Sequence, residues 1–357
     1  MNMKKICILV GARPNFVKVA PLIRAIKQCE EACYSLVYAG SENDPTIEPS
    51  LFDDLQMPRP DVYLGVDSSD LNEITAKVTS QFDHYLDTFA ADVVIVVDDL
   101  ASTMAAAIVA KKRGLLLAHL VAGTRSFDIK MPKEINRLVI DALSDYLFTA
   151  GIKSNSVATR EGGETAQTYM VGNILMDSLR ACHGRLRRPA VFDKLALEEG
   201  KYLVLTMNRK ALLAEQETLK QLMDALLSTG LPVVAPLRGL ARQKVLETGC
   251  DSKQLHLIDA LSYLEFGWLT AHAMGVVTDS GNVAEEATFN GVPCITLNSY
   301  TEHIETVNVG TNVLVDGDPA KLRASLDQLM KGEWKHGSLP ERWDGRTAER
   351  IVRILRG

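Results

Sequence analysis

Short apolar, β-branched runs alternate with amphipathic helical patterns along nearly all of this 357-residue chain. A strand that stays apolar on both faces must be covered on both faces, and that occurs in parallel sheets whose crossovers are helices. The first half predicts strands at Ile6–Val10, Leu36–Ala39, Val93–Val97, Leu115–Leu120, Tyr146–Thr149 and Thr168–Val171, with helices such as Phe16–Lys27 and Lys133–Leu143 between them. The second half repeats the scheme with Tyr202–Thr206, Val233–Pro236, Leu255–Ile258, Met274–Val277, Cys294–Leu297 and Val313–Val315. The length exceeds what one core usually serves. The expected fold is therefore α/β, two doubly wound Rossmann-like domains facing a central cleft. The boundary is expected near Gly172 or slightly later, giving domains 1–172 and 173–338, with HGRLRRPAVF as connector. In open parallel sheets ligands sit beyond the carboxyl ends of the strands, so the cleft is the expected site.

Charge and cysteine usage narrow the function classes. With 39 basic and 45 acidic residues the net charge is −6, so no global positive field draws in nucleic acid, and acidic ligands must be held locally. The opening MNMKKICILV has too short an apolar stretch for a secretory signal and reads as a first core strand, and no run is long enough to span a membrane. Six cysteines without a CxxC pair fit a reduced, cytoplasmic setting. Neither a metal-ligand cluster nor a dinucleotide GxGxxG is present, so neither metal nor cofactor is expected.

Two strand ends carry anion-binding chemistry. In TDSGNVAEEATFNGVPCITL a Ser-Gly-Asn turn joins a strand to a helix, aiming free backbone N–H groups and the positive end of the helix at one point. Ser280, Gly281 and Asn282 form that turn, and Glu285 and Glu286 are expected in the first turn of the helix, where a carboxylate can accept ribose hydroxyls. In VGARPNFVKVAPLIRAI, Arg13 stands between a strand end and a helix start, suited to a diphosphate. Both segments fit an ordinary helix cap or βα turn equally well.

Beyond these turns, GARPNFVKVAPLIRAI, HLVAGTRSFD, MPKEINRLVIDALSDYLFTA, VGNILMDSL, LTMNRK and TDSGNVAEEATFNGVPCITLNSYTEHIETVNVGTN resemble, in order and over nearly the whole chain, the non-hydrolysing UDP-N-acetylglucosamine 2-epimerase family. The resemblance implies the glycosyltransferase-B architecture, a UDP-N-acetylhexosamine in the cleft, a homodimer, a role in cell-surface polysaccharide synthesis, and a C-terminal helix, within 339–357, returning to the first domain. Trp334 and Trp343 are candidates to anchor that crossing. By the same resemblance Arg13 reaches the diphosphate, Ser280 and Gly281 form the phosphate turn with Asn282 in place of a second glycine, and Glu286 takes the ribose. Arg209, with Asn208 beside it, belongs to a strand-end motif of the second domain, and His303 replaces the arginine of a Thr-Glu-Arg triplet. On the sugar side the resemblance implies Asp99, Glu134 and Arg137 as the catalytic set.

The family reaction is expected to be epimerisation at C2 through loss and re-addition of UDP, which needs a base, an acid on the opposite face and cations for the leaving group. Three groups of that set differ. Val121 stands for a glutamate, Lys133 for the first glutamate of a Pro-Glu-Glu-x-Asn-Arg helix start, and Asn208 for a histidine. Asn15 stands for another glutamate, and Ser41-Glu42 and Arg238 replace groups tied to a second, activating UDP-sugar. The expectation is a UDP-sugar-binding, epimerase-like protein with altered or impaired chemistry; glycosyl transfer and a catalytically silent regulator or partner subunit stay open.

Overall fold

The computed structural model describes residues 3–250 and 252–356. The chain forms two compact units, one comprising Met1–Ala181 with Glu341–Gly357 and the other Cys182–Pro340.

The first unit holds a seven-stranded sheet of β1 (Lys4–Val10), β2 (Ala32–Tyr38), β3 (Val62–Tyr63), β4 (Val93–Val97), β5 (Leu116–Leu120), β6 (Tyr146–Thr149) and β7 (Gln167–Met170). All its ladders are parallel and the order is β3-β2-β1-β4-β5-β6-β7. The second unit holds β8 (Leu203–Thr206), β9 (Val233–Ala235), β10 (Leu255–Leu257), β11 (Gly275–Thr278), β12 (Cys294–Thr296) and β13 (Asn312–Leu314), again parallel, in the order β10-β9-β8-β11-β12-β13. Each sheet is therefore doubly wound. The chain builds outward from β1 or β8 and then returns to their other side with β4 or β11. The connections leaving those paired strands diverge at their carboxyl ends, and each unit has its switch point there.

The sequence of β4, VVIVV, is buried throughout, as a strand covered on both faces must be. Beside it, Ala105, Ala106, Ala107 and Ala110 of the helix Ala101–Lys112 are fully buried, and their small side chains let that helix lie close to the sheet. Close approach also fixes Gly11, since a Cβ there would collide with the Ser102 side chain. β3 lacks any sequence signal, being two residues after Pro60 and Asp61. The helix Arg13–Lys27 stops before Cys29, so Cys29 and Cys33 share no helix.

The division falls inside the helix Ile174–His183, later than Gly172. Its first turns are tied to the first unit, because Ser178 Oγ donates to the Val17 carbonyl at 2.5 Å. From the same helix Asp177 accepts the backbone N–H groups of Thr347 at 3.2 Å and Ala348 at 2.8 Å, capping the helix Thr347–Arg356 from outside it. That last helix packs on Arg13–Lys27. Trp343, 1% exposed, donates Nε1–H to the Ala150 carbonyl at 3.1 Å, whereas Trp334 packs on the second unit's core and donates to the Thr311 carbonyl. Among the described residues no helix is long and apolar enough to cross a membrane. Trp343→Ala should remove about 3–5 kcal/mol of stability, read as a shift in the chemical unfolding midpoint of the first unit.

Candidate functional site

At the switch point of the first unit, two aspartates follow β4 and face different partners. Asp98 has φ +60°, a left-handed conformation that Asp tolerates better than most residues. Its carboxylate accepts from Lys18 Nζ at 2.6 Å and from Asn15 Nδ2 at 2.7 Å. Asn15 also accepts the N–H groups of Gly11 and Ala12 through Oδ1, at 2.9 and 3.2 Å, so one side chain ties the turn after β1 to the turn after β4.

Asp99, almost buried, lies against the helix Pro132–Leu143. Arg137 donates to its Oδ2 from Nε at 2.8 Å and pairs with it through Nη2 at 2.6 Å, while Lys133 Nζ stands 3.3 Å from Oδ1. Burial works against the charge on Asp99, but Lys133 and Arg137 outweigh it and hold the carboxyl below its usual range. Glu134 is held low in the same way. Burial opposes its charge, and the N–H and hydroxyl of Ser126, the N–H of Phe127 and the Arg137 guanidinium overcome it. The Asn136 amide completes the cluster by donating to the Asp99 carbonyl at 2.8 Å. Asp99, Glu134, Arg137 and Lys133 thus stand together.

Behind them, His119 lies between two acceptors, the Asp141 carboxylate 2.6 Å from Nδ1 and the Asp98 carbonyl 3.0 Å from Nε2. Asp141 has no exposed surface and also takes the Gly123 N–H at 3.1 Å and Arg125 Nη1 at 2.7 Å. Burial again opposes its charge, and His119 and Arg125 hold its carboxyl low. Val121, between His119 and Gly123 in sequence, has φ +75°, a strained setting for a β-branched residue.

In the second unit Asp279 closes the switch point. Its Oδ2 accepts the N–H groups of Asn208 at 2.6 Å and Arg209 at 2.7 Å, joining the end of β8 to the end of β11. Arg209 donates from Nε to the Asp279 carbonyl at 3.1 Å and from Nη1 to Tyr300 Oη at 2.8 Å, with its guanidinium 4.9 Å from the Tyr300 ring centre. The helix begins at Gly281, with Ser280 as N-cap, so Glu285 and Glu286 lie in its second turn, not the first. Both are buried. His303, also buried, has Nε2 3.8 Å from Glu285 Oε1, so it faces a carboxylate of its own unit.

Neither candidate phosphate arginine stands alone. Arg13 makes a two-point pair with Glu48, including Nε to Oε2 at 2.7 Å, and Arg209 Nη2 lies 3.8 Å from Glu302 Oε1. Among the described residues no cluster of His, Cys, Asp or Glu is arranged to hold a metal ion.

The family model for UDP-N-acetylglucosamine 2-epimerase matches residues 24–356 of this chain. The chain belongs to that family. A UDP-N-acetylglucosamine 2-epimerase of Methanocaldococcus jannaschii is 31% identical, with 98% of each chain covered. The crystal structure of a UDP-GlcNAc 2-epimerase from that organism, in complex with UDP-GlcNAc and UDP, superposes with a TM-score of 0.86 at 31% identity, covering 99% of each chain. A UDP-2,3-diacetamido-2,3-dideoxy-D-glucuronate 2-epimerase of Pseudomonas aeruginosa is 32% identical over 87% of this chain and 88% of its own length. The fold is accordingly that of the glycosyltransferase-B epimerases.

Several residues at these switch points escape sequence reasoning. Asn15 reads there only as a lost glutamate, yet it bridges two turns. Lys18 and Asp141 carry no sequence assignment and Asp279 only stands before the Ser-Gly-Asn turn, while Asp141 has one hint, four residues after Arg137 on the same helix. Glu48 has no signal, because its partner Arg13 is distant in sequence, and Glu302 reads only as the glutamate of the Thr-Glu-Arg triplet match, with nothing to show that it faces Arg209.

Asp99, Glu134 and Asp141 have folded pKa values below their unfolded ones, so each adds stability above about pH 4 that is lost as pH falls through the folded value. Urea midpoints should stay level with respect to these groups from pH 7 to 5 and drop below about pH 4. Asp141→Asn should be less stable at pH 7 and show a shallower acid slope. Val121→Gly, by releasing the left-handed strain, should stabilise by about 1 kcal/mol, read from the same midpoints.

Proposed function

We propose that this chain binds a UDP-N-acetylhexosamine and acts on its C2 as an altered, slow 2-epimerase. Arg13, Asn208, Arg209, Ser280, Gly281, Asn282, Glu286 and His303 are the nucleotide-side residues, and Asp99, Glu134 and Arg137 the sugar-side residues. Family membership and the 31% identical relative crystallised with UDP-GlcNAc and UDP support the ligand class.

One observation carries the altered chemistry, the pairing of Asp99 with Lys133 and Arg137. In the elimination a base takes the C2 proton, the C–H electron pair becomes the C1–C2 double bond, and the C1–O pair leaves with UDP. Proton transfer rewards a base whose pKa lies near the working pH. A carboxylate held low by two cations is a weak base. Lys133, more than half exposed, gives this site a positive charge where the family pattern has a carboxylate. With Val121 and Asn208 also lacking proton-handling groups, the loss is shared by a cooperating set, and such losses do not add independently. The same substitutions favour a second reading, a UDP-sugar-binding subunit without turnover. The first reading includes a cytoplasmic homodimer in cell-surface sugar metabolism.

The test is incubation with UDP-N-acetylglucosamine in heavy water, following C2 by NMR. Deuterium at C2 with a manno product, formed slowly, is expected. Lys133→Glu, which removes the cation beside Asp99, should raise the exchange rate at least about tenfold, less than the roughly 10² to 10⁴ of a complete acid–base group because Val121 and Asn208 remain. Binding without any exchange, in this variant as in the unchanged chain, would leave the silent subunit. Absence of UDP binding would overturn both.

A further inference from the structure

The two arginines proposed to hold the diphosphate are each already engaged by a carboxylate of their own unit. Glu48 lies in the loop after β2, and its carboxylate takes Arg13 at two points, Nε to Oε2 at 2.7 Å and Nη2 to Oε1. Arg13's side chain is 31% exposed and Glu48's 12%, so the pair is partly desolvated but reachable. Asp44 stiffens the loop, accepting Tyr38 Oη at 2.5 Å and the Thr46 N–H at 2.7 Å. Glu48 itself accepts the Leu51 N–H at 3.0 Å through its carbonyl, at the start of the next helix. A fork-to-carboxylate pair matches the geometry that the same guanidinium would offer two phosphate oxygens.

The second unit has a looser counterpart, a single longer ion-pair contact, at the helix Gly281–Asn290. Glu302 Oε1 lies 3.8 Å from Arg209 Nη2, and its Oε2 would lie 2.5 Å from a Cβ at Gly281. A negative group thus stands at the head of a helix whose N-cap Ser280 makes no side-chain cap bond. Positive helix ends and guanidinium groups attract the same class of ligand, and here a carboxylate of the chain fills that role.

We propose that Glu48 and Glu302 are resident counter-anions of Arg13 and Arg209, so that a nucleoside diphosphate binds by exchanging with carboxylates and these two residues set its affinity. The inference rests on the UDP-sugar reading above. Exchange has a definite consequence, because each pair broken on binding subtracts from what the phosphates gain. Removing the resident charge while keeping the side chain's size should tighten binding.

The experiment is calorimetric titration of the full chain with UDP, for the unchanged protein, Glu48→Gln, Glu302→Gln, Arg13→Ala and the Arg13→Ala/Glu48→Gln double variant. Glu48→Gln should lower the Kd for UDP roughly tenfold, the scale of one modest charge-assisted pair. In the Arg13→Ala background the same change should do nothing, which separates action through Arg13 from a general loosening of the loop. Glu302→Gln should tighten UDP binding by a similar factor and carries the test if Glu48→Gln fails to fold by thermal melting. UDP bound with unchanged or weaker affinity by the folded glutamine variants would overturn this inference and leave the UDP reading intact. Tightening that persists without Arg13 would overturn it for Glu48. If none of the proteins bound UDP, the UDP reading itself would fall, and this inference with it.

Discussion

A single carboxylate without exposed surface, Asp141, organises the chemistry-bearing end of the first unit. It takes His119 on one oxygen and Gly123 and Arg125 on the other, and thereby fixes the end of β5 and the turn after it. Through the far nitrogen of His119 the same anchor reaches the carbonyl of Asp98 and holds that residue's left-handed turn. Asp98 and Asp99 then present their carboxylates to Lys18 and Arg137, on separate helices. A buried charge is tolerable only when its partners are complete, so the anchor and the turn it holds stand or fail together.

The charge balance of the site follows from that geometry. Asp98, Asp99 and Glu134 bring three negative charges, and Lys18, Lys133 and Arg137 answer with three positive ones. A glutamate in place of Lys133 would remove a positive charge and add a negative one beside Asp99, raising the affinity of the whole group for protons. The present arrangement is electrostatically settled and weakly basic. The substitution reads in sequence as the loss of one carboxylate, whereas in three dimensions it also makes a second carboxylate that is still there a weaker base.

Much of the fold was legible because parallel strands buried on both faces leave continuous apolar runs, as in Val93–Val97 and Leu203–Thr206. β3 was not, since two paired residues leave no periodic trace. Within the site, the family resemblance brought Asp99, Glu134 and Arg137 into one group, and the three side chains are in contact. It could not indicate what each charge would face. The Arg13–Glu48 pair depends on how a loop of polar residues folds, and His303 facing Glu285 depends on packing around the helix Gly281–Asn290. Positive backbone angles at Asp98 and Val121 were equally hidden, because neither is a glycine.

The first unit is assembled from two stretches of chain with the entire second unit inserted between them in sequence. Trp343 and the helix that Asp177 caps belong to its core yet lie in the segment Glu341–Gly357, which follows the second unit in sequence. During synthesis, therefore, the earliest-made Rossmann-like layer must wait until Glu341–Gly357 has been made before its packing can close, while the later-made unit has all of its strands in one unbroken segment. Order of manufacture and order of completion are reversed in this chain, and the unfinished layer is the stage at which it is most exposed to misassembly.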